Sequence, residues 1–236
     1  MSEPQRSTPS VPHFHEQLGA LQTQLLAMGG LAENRVRTAI GVLVSRNLDQ
    51  ARTVAAGDGP INALHVEIDS LCFRLLALHQ PMAADLRTIV AAAKINTDLE
   101  RVGDLAVNIV EAASRYLQHP PVKQLIDIPR MGELAQAMLR DALDSYVNRN
   151  IDLAEDVLRR DDEVDALKSQ VFRELLTFML QAPETIEPAL DLILISRHIE
   201  RIADHATNIA EDVIFVVAAR DVRHHSGDGS EASDST

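Results

Sequence analysis

Apolar residues recur at helical spacing over almost the whole chain between residues 13 and 220. Turn-forming residues divide this pattern into six segments, and short turns between helices favour antiparallel neighbours. The predicted helices cover residues 13–46, 49–79, 82–117, 131–149, 152–181 and 184–220. Pro60 interrupts the second segment, where it predicts either a kink or the first residue of a new helix.

The second half of this pattern repeats the first. Gln181-Ala182-Pro183 corresponds to His79-Gln80-Pro81 at an offset of 102 residues. The sequence therefore predicts an all-α fold of two tandem three-helix bundles, related by an internal pseudo-twofold axis. The predicted units are a first bundle over 13–119, a linker over 120–130 and a second bundle over 131–220. Tails at 1–12 and 221–236 are predicted to be disordered, because they are rich in small and polar residues.

One motif, E-R-x-x-D-x-x-x-N-I-x-E, occurs on both the third and the sixth predicted helix. At about 100° per residue, its carboxylates and carboxamide share one helix face, and the intervening Leu, Ile and Val residues share the other. The oxygen-bearing residues are Glu100, Asp104, Asn108 and Glu111 in the first copy, and Glu200, Asp204, Asn208 and Glu211 in the second. Like charges four residues apart destabilise a helix, so a bound cation would offset a cost that the motif creates twice.

The preceding helix of each half offers further oxygen ligands. Asp161 and Asp165 lie four residues apart near the start of the fifth helix, and Asp58 and Asn62 are their counterparts in the second. Carboxylates and a carboxamide suit hard cations such as Mg²⁺, Mn²⁺, Ca²⁺ or iron. The pattern therefore predicts two metal sites, although an acidic face opposite an apolar one is also typical of an ordinary solvated helix.

The two predicted sites differ in their ligands. If the second helix is unbroken, His65 and Asp69 continue its polar face, whereas the second half has Lys168 and Phe172 there. The Glu-x-x-His ligand pairs of oxidative di-iron bundles are absent from the motif, which makes a redox enzyme a poor interpretation.

Charge and composition narrow the class of protein. The net charge of −13 opposes binding to nucleic acid or to an anionic membrane surface. Cys72 is the single cysteine, so an internal disulfide and a cysteine zinc site are ruled out. No apolar run reaches the roughly 18 residues of a spanning helix and no secretory segment follows Met1, so we expect a cytoplasmic protein without direct membrane insertion. No phosphate-binding loop or nucleophilic triad is readable from local spacing.

The duplicated motif resembles that of the PhoU family, the accessory regulators of bacterial phosphate uptake. The resemblance rests on residues 98–104 and 198–204, with support from Gln80-Pro81 and Asp85-Leu86-Arg87, and it spans residues 14–218. It implies a tandem three-helix-bundle fold with a metal cluster on each half, and Mg, Mn, Fe or Zn as the ion. Carried over, Glu100 and Asp104 would serve one site, and Glu200 and Asp204 the other, with Asp161 and Asp165 added to the second.

The resemblance also implies a function. The protein would be a non-enzymatic negative regulator of phosphate uptake and of the phosphate-starvation response. It would act as an adaptor between the ATPase subunit of the phosphate ABC transporter and a phosphate-sensing histidine kinase. Two alternatives remain open from the residues alone: a metal-dependent hydrolase that uses a carboxylate cluster to activate water, and a metal-free helical scaffold. The sequence also leaves open whether the chain forms a homodimer.

Overall fold

The computed structural model describes residues 11–47, 49, 51 and 59–220. Within these residues the chain forms six α-helices and one short 3₁₀ turn at Pro183–Thr185. The helices are α1 (Val11–Ser45), α2 (Gly59–His79), α3 (Ala84–Tyr116), α4 (Asp127–Asn148), α5 (Ile151–Gln181) and α6 (Ile186–Ala218). The predicted disorder of the tails falls on residues outside those described, apart from Val11 and Pro12, which belong to α1.

Proline residues lie at the first described turns of two helices. Helix α2 is described from Gly59, with Pro60 as its second residue, a position at which proline is tolerated because its missing N–H has no intrahelical partner. Asp49 and Ala51 are helical as well, and residues 52–58 lie outside those described. Helix α4 begins at Asp127, four residues earlier than predicted, with Pro129 in its first turn. The predicted linker over 120–130 is shortened accordingly.

Helices α3 and α6 pack against each other along the centre of the molecule. Helix α1 packs on α3, α2 and α4, and α4 packs on α6, α5 and α1, so each repeat contributes three helices and the two repeats share one continuous hydrophobic core. The apolar faces predicted for the two motif-bearing helices are buried: Leu99, Val102, Leu105, Ala106, Ile109 and Val110 in α3, and Ile199, Ile202, Ala206, Ile209 and Val213 in α6.

The two halves also share details of backbone conformation. Arg46 and Arg149, each one residue beyond the end of the first helix of its repeat, both adopt the left-handed conformation, with φ of 56° and 51°. Helix α5 is capped by Asn150, whose side-chain oxygen accepts a hydrogen bond of 3.1 Å from the backbone N–H of Leu153. The predicted pair of pseudo-symmetric three-helix bundles is confirmed.

The last turn of α2 is open to solvent. Leu78 is 59% exposed, because α2 ends one residue later at the turn into α3. Among the described helices, none combines the length and the hydropathy required to cross a bilayer.

Candidate functional site: acidic faces on α3 and α6

The acidic face of each motif lies on the outer side of its helix. In α3, Asp104 is exposed and Glu100 is partly buried, and in α6, Asp204 and Glu200 repeat this arrangement. This placement follows from helical periodicity, since the same turns bury their apolar residues in the contact between α3 and α6. Both faces are therefore open to solvent on one side and bordered by α2 or α5 on the other.

The carboxylates of α5 and α6 converge in the second repeat. Burial raises the pKa of Asp161 to about 6, and the negative charges of Asp204, Asp165, Asp162 and Glu200 add to this shift. The pKa of Asp204 is also raised, although its side chain is exposed, because the neighbouring groups partly desolvate it and the charges of Glu200 and Asp165 repel it. These shared effects show that the predicted ligands from the two helices form one cluster of negative charge.

Lys168 supplies a positive charge inside this cluster. Its ammonium group donates to Oδ1 of Asp165 at 2.8 Å and to Oε1 of Glu200 at 2.7 Å, thereby linking α5 to α6. Hydrogen bonds to these two carboxylates raise the pKa of Lys168 above its ordinary value. The second repeat thus carries a built-in counter-ion next to its acidic motif.

In the equivalent region of the first repeat, a buried carboxamide takes the place of the lysine as hydrogen-bond donor. Asn96 is buried, and its Nδ2 donates to Oδ1 of Asp69 and to the backbone oxygen of His65, both at 2.9 Å. Asn62 is exposed on α2, and Asp58 lies outside the described residues. The predicted difference between the two halves at His65/Lys168 is therefore visible as two different local networks.

The remaining motif residues are divided between solvent and the contact between repeats. Asn108 and Glu211 are partly buried and Glu111 is exposed. Asn208 donates from Nδ2 to Oδ1 of Asp98 at 3.4 Å, so its carboxamide contacts α3 of the other repeat.

Several polar pairs between α3 and α6 were not predicted from the sequence. Nδ1 of His205 lies 2.8 Å from Oδ1 of Asp98, and both side chains are largely buried. Nζ of Lys94 lies 2.8 Å from Oδ1 of Asp212. The Asp98–His205 pair has no counterpart across the pseudo-twofold axis, where His198 and Leu105 occupy the equivalent positions. At the other end of the contact, Nε of Arg115 lies 2.9 Å from Oδ1 of Asp191. The difference between Asp98 and His198 was visible in the sequence, but the pairing was not.

The oxygen atoms of the proposed ligands are of the type that binds hard cations, although the side chains are separated from one another. Among the described residues, no three His, Cys, Asp or Glu side chains are arranged to hold a metal ion as they stand. The proposed ligands of the α5–α6 cluster are all carboxylates, the groups that Mg²⁺, Mn²⁺ and Ca²⁺ prefer. The raised pKa values of Asp161 and Asp204 have desolvation as their first cause and repulsion between carboxylates as their second, and a cation would relieve the repulsion.

Comparisons with known proteins agree with this architecture. The PhoU domain family model matches the chain twice, over residues 25–113 and 128–213. The phosphate-specific transport system accessory protein PhoU homolog of Caulobacter vibrioides is 42% identical over 214 residues, which cover 90% of this chain and 93% of the relative. Phosphate-specific transport system accessory protein PhoU of Escherichia coli K12 is 35% identical over 217 residues, covering 91% and 89%.

Two solved structures have the same fold. The crystal structure of PhoU from Pseudomonas aeruginosa superposes with a TM-score of 0.84 at 36% identity, covering 88% of this chain and 100% of that one. The phosphate transport system regulatory protein PhoU from Streptococcus pneumoniae gives 0.81 at 28% identity, covering 89% and 99%.

The fold and the acidic faces define an internally duplicated helical protein with one motif-bearing helix at the centre of each repeat. Within that class the comparisons identify one family, because its family model covers both repeats and relatives match along nine-tenths of the chain. The chain belongs to the PhoU family.

Proposed function

We propose that this protein is an accessory protein of a phosphate-specific transport system and a negative regulator of phosphate uptake and of the phosphate-starvation response. In this role it is a cytoplasmic, non-enzymatic adaptor between the ATPase subunit of the transporter and a phosphate-sensing histidine kinase. The observation that supports the role most directly is the match to relatives named as transport-system accessory proteins over 90% of this chain.

The acidic faces are proposed to bind cations. In the second repeat the ligands would be Asp161, Asp165, Glu200 and Asp204. Glu211 would join them about two helical turns further along α6. In the first they would be Glu100, Asp104 and Glu111 of α3, with Asn62 of α2. A bound cation would supply positive charge that neutralises the carboxylates and steadies the outer surface of each repeat.

A second candidate function, a metal-dependent hydrolase, has less support. Such an enzyme activates water in a dry, shaped cavity, where the metal and its ligands are shielded from bulk solvent. Here Asp104 and Asp204 are exposed on the outer faces of α3 and α6. A metal-free scaffold is the third alternative, and metal analysis separates it from the proposal.

The regulatory role is tested by deleting the gene and measuring a phosphate-starvation reporter in cells grown with abundant phosphate. We expect the deletion to raise the reporter signal and the wild-type gene to restore repression. Unchanged repression in the deletion strain would rule the regulatory role out.

The adaptor role needs a separate measurement. The purified chain is titrated against the transporter ATPase subunit and, independently, against the cytoplasmic region of the kinase. We expect a saturable complex with each. Repression that depends on the gene without binding to either partner would retain the regulatory role and reject the adaptor mechanism.

A further inference from the structure

A cleft of about 550 Å³ lies between α5 and α6 beside the acidic cluster. Its volume is typical of pockets that bind small organic molecules. Its lining is mainly apolar, with a few charged groups, and includes Lys168, Phe172, Arg173, Ile193, Arg197 and Glu200.

The residues that build this cleft are specific to the second repeat. The register between α2 and α5 is fixed by their buried residues, since Ile61 and Ile68 correspond to Val164 and Val171, 103 positions later. The register between α3 and α6 is 100, as the motif shows. In these registers Glu200 is the one lining residue whose counterpart, Glu100, is identical. The replacements include Phe172, Arg173 and Arg197, which stand in place of Asp69, Ser70 and Thr97.

The first repeat fills the equivalent space with polar contacts. Asp69, the counterpart of Phe172, accepts a hydrogen bond from the buried Asn96. The second repeat has Ser196 in place of Asn96, and the Ser196 hydroxyl bonds to the backbone oxygen of Ile193 on its own helix. A shorter side chain and an aromatic ring thus replace the hydrogen-bonded network.

The charges in the cleft are only partly compensated. Lys168 is paired with Asp165 and Glu200. Arg173 and Arg197 are both exposed, and neither forms an ion pair with another described residue. Two unpaired guanidinium groups at one cleft are a notable local excess of positive charge in a chain whose net charge is −13. Guanidinium groups bind carboxylate and phosphate with matched geometry.

We propose that this cleft binds a small organic anion. Its phosphate or carboxylate group would be held by Arg173 and Arg197, and its flat apolar part would pack against Phe172 and Ile193. Charge complementarity selects the anion, and the half-exposed ring of Phe172 selects the apolar part. The cleft adjoins the carboxylate cluster, with which it shares Lys168 and Glu200, but the groups that would hold the ligand are Phe172, Arg173, Ile193 and Arg197. The proposal does not depend on the proposed regulatory function.

The test uses 1-naphthyl phosphate and 1-naphthylacetate as probes on the full-length protein, with binding followed by naphthalene fluorescence. The chain contains 0 Trp residues, so protein fluorescence interferes little. We expect one saturable site with a Kd of about 0.1–1 mM for at least one probe, the range of a good ligand of this size. The probe that binds more tightly identifies the preferred anionic group. Inorganic phosphate and 1-naphthol, each lacking one half of the probe, should compete roughly tenfold more weakly.

Variants of the cleft residues test the location of the site. Arg173→Ser with Arg197→Thr, which installs the residues of the first repeat, should weaken probe binding about tenfold or more. Phe172→Leu, which removes the ring while preserving the fold, should weaken it less. The matched control is Arg74→Ser with Arg101→Thr, which removes two exposed arginines from α2 and α3 of the first repeat. Circular dichroism and thermal unfolding of each variant establish that it is folded.

The proposal is overturned if neither probe binds saturably up to about 5 mM. It is also overturned if the Arg173/Arg197 variant keeps wild-type affinity, or if the control variant loses as much affinity as the cleft variant. Equal competition by inorganic phosphate and the full probe would contradict the role of Phe172 and Ile193.

Discussion

Gly29 of α1 provides the space that Leu143 of α4 occupies at the contact between the two repeats. A Cβ atom added at Gly29 would overlap Cδ1 of Leu143, and one added at Gly132 would overlap Cδ1 of Ile40. Gly132 and Leu143 stand 103 positions after Gly29 and Ile40, so the two contacts are related by the pseudo-twofold axis. Each repeat therefore contributes a glycine and receives a large side chain from the other.

This contact predicts that Gly29→Ala destabilises the protein. Alanine favours a helix over glycine by about 1 kcal/mol, but overlap in a packed core costs about 1–3 kcal/mol. We expect a net loss of roughly 1 kcal/mol in wild type and a neutral or stabilising effect in a Leu143→Ala background, measured by urea unfolding.

The adjacent Gly30 is the matched control. No atom lies within 4 Å of a Cβ added there, so Gly30→Ala should stabilise the protein by up to about 1 kcal/mol. Additive effects of Gly29→Ala and Leu143→Ala would contradict the proposed packing relationship.

The pair formed by Asp98 and His205 should contribute to the stability of the contact between repeats. His205→Leu installs the residue found at the equivalent position of the first repeat and removes the 2.8 Å partner of a largely buried carboxylate. We expect a loss of about 1–3 kcal/mol in the free energy of unfolding. Arg159→Ala, which breaks an exposed pair with Asp156, should change it by less than about 0.5 kcal/mol. Equal effects of the two variants would show that the pair between the repeats contributes no more than a surface ion pair.

Lys168 should compete with a divalent cation for the carboxylates of the second repeat. Its ammonium group contacts both Asp165 and Glu200, so Lys168→Met should tighten Mn²⁺ binding there by roughly tenfold. Titration followed by electron paramagnetic resonance measures this affinity. Arg159→Met removes the same charge from an exposed site on α5 and should have little effect.

The companion variant Glu200→Gln with Asp204→Asn should reduce Mn²⁺ stoichiometry while helicity is retained. Unchanged stoichiometry would remove both residues from the set of ligands.

The raised pKa of Asp161 predicts that stability depends on pH in the absence of divalent cations. Its pKa is raised from 3.8 to about 6 in the folded protein, so the folded state binds the proton more tightly. Its favourable contribution is present at low pH and is lost as pH rises from about 4 to about 6. In EDTA, Asp161→Asn should therefore stabilise the protein at pH 7.5 by roughly 0.5 kcal/mol or less, with the gain disappearing near pH 4. Glu133→Gln, an exposed substitution on α4, should show no such pH-dependent gain.

Cys72 should be unreactive in the folded protein. The residue is 3% exposed, and burial, together with the charge of Asp69, raises the pKa of its thiol to about 11. The thiolate is the reactive form, so labelling with a disulfide reagent at pH 8 should be slower than in urea by about 100-fold or more. This group's contribution to stability should persist below about pH 9 and decline as pH rises towards 11. Rapid labelling of the folded protein would show that α2 opens locally.

The positions of the acidic faces could be predicted because they depend on local periodicity. Glu100 and Asp104 share a face through helix geometry alone, and the apolar residues between them had to be buried. The start of α4 could not be predicted reliably because Pro129 is equally compatible with a linker and with a first helical turn.

Contacts between repeats depend on packing across more than a hundred residues. Local spacing gives no partner for His205, and Asp98 contacts it from the other repeat. Likewise, the difference between His65 and Lys168 was visible in the sequence, but the reach of Lys168 to Glu200 depends on how α5 and α6 are paired. Such pairings come from tertiary structure.

Lys168 is a side chain of α5 and not a dissolved ion. Its neutralising charge therefore stays at a fixed local concentration whatever the ionic composition of the surroundings. Glu100 and Asp104 form no ion pair with a described residue and so rely on dissolved ions for the same compensation. We therefore expect the acidic face of the first repeat to respond more strongly to ion concentration than the acidic face of the second.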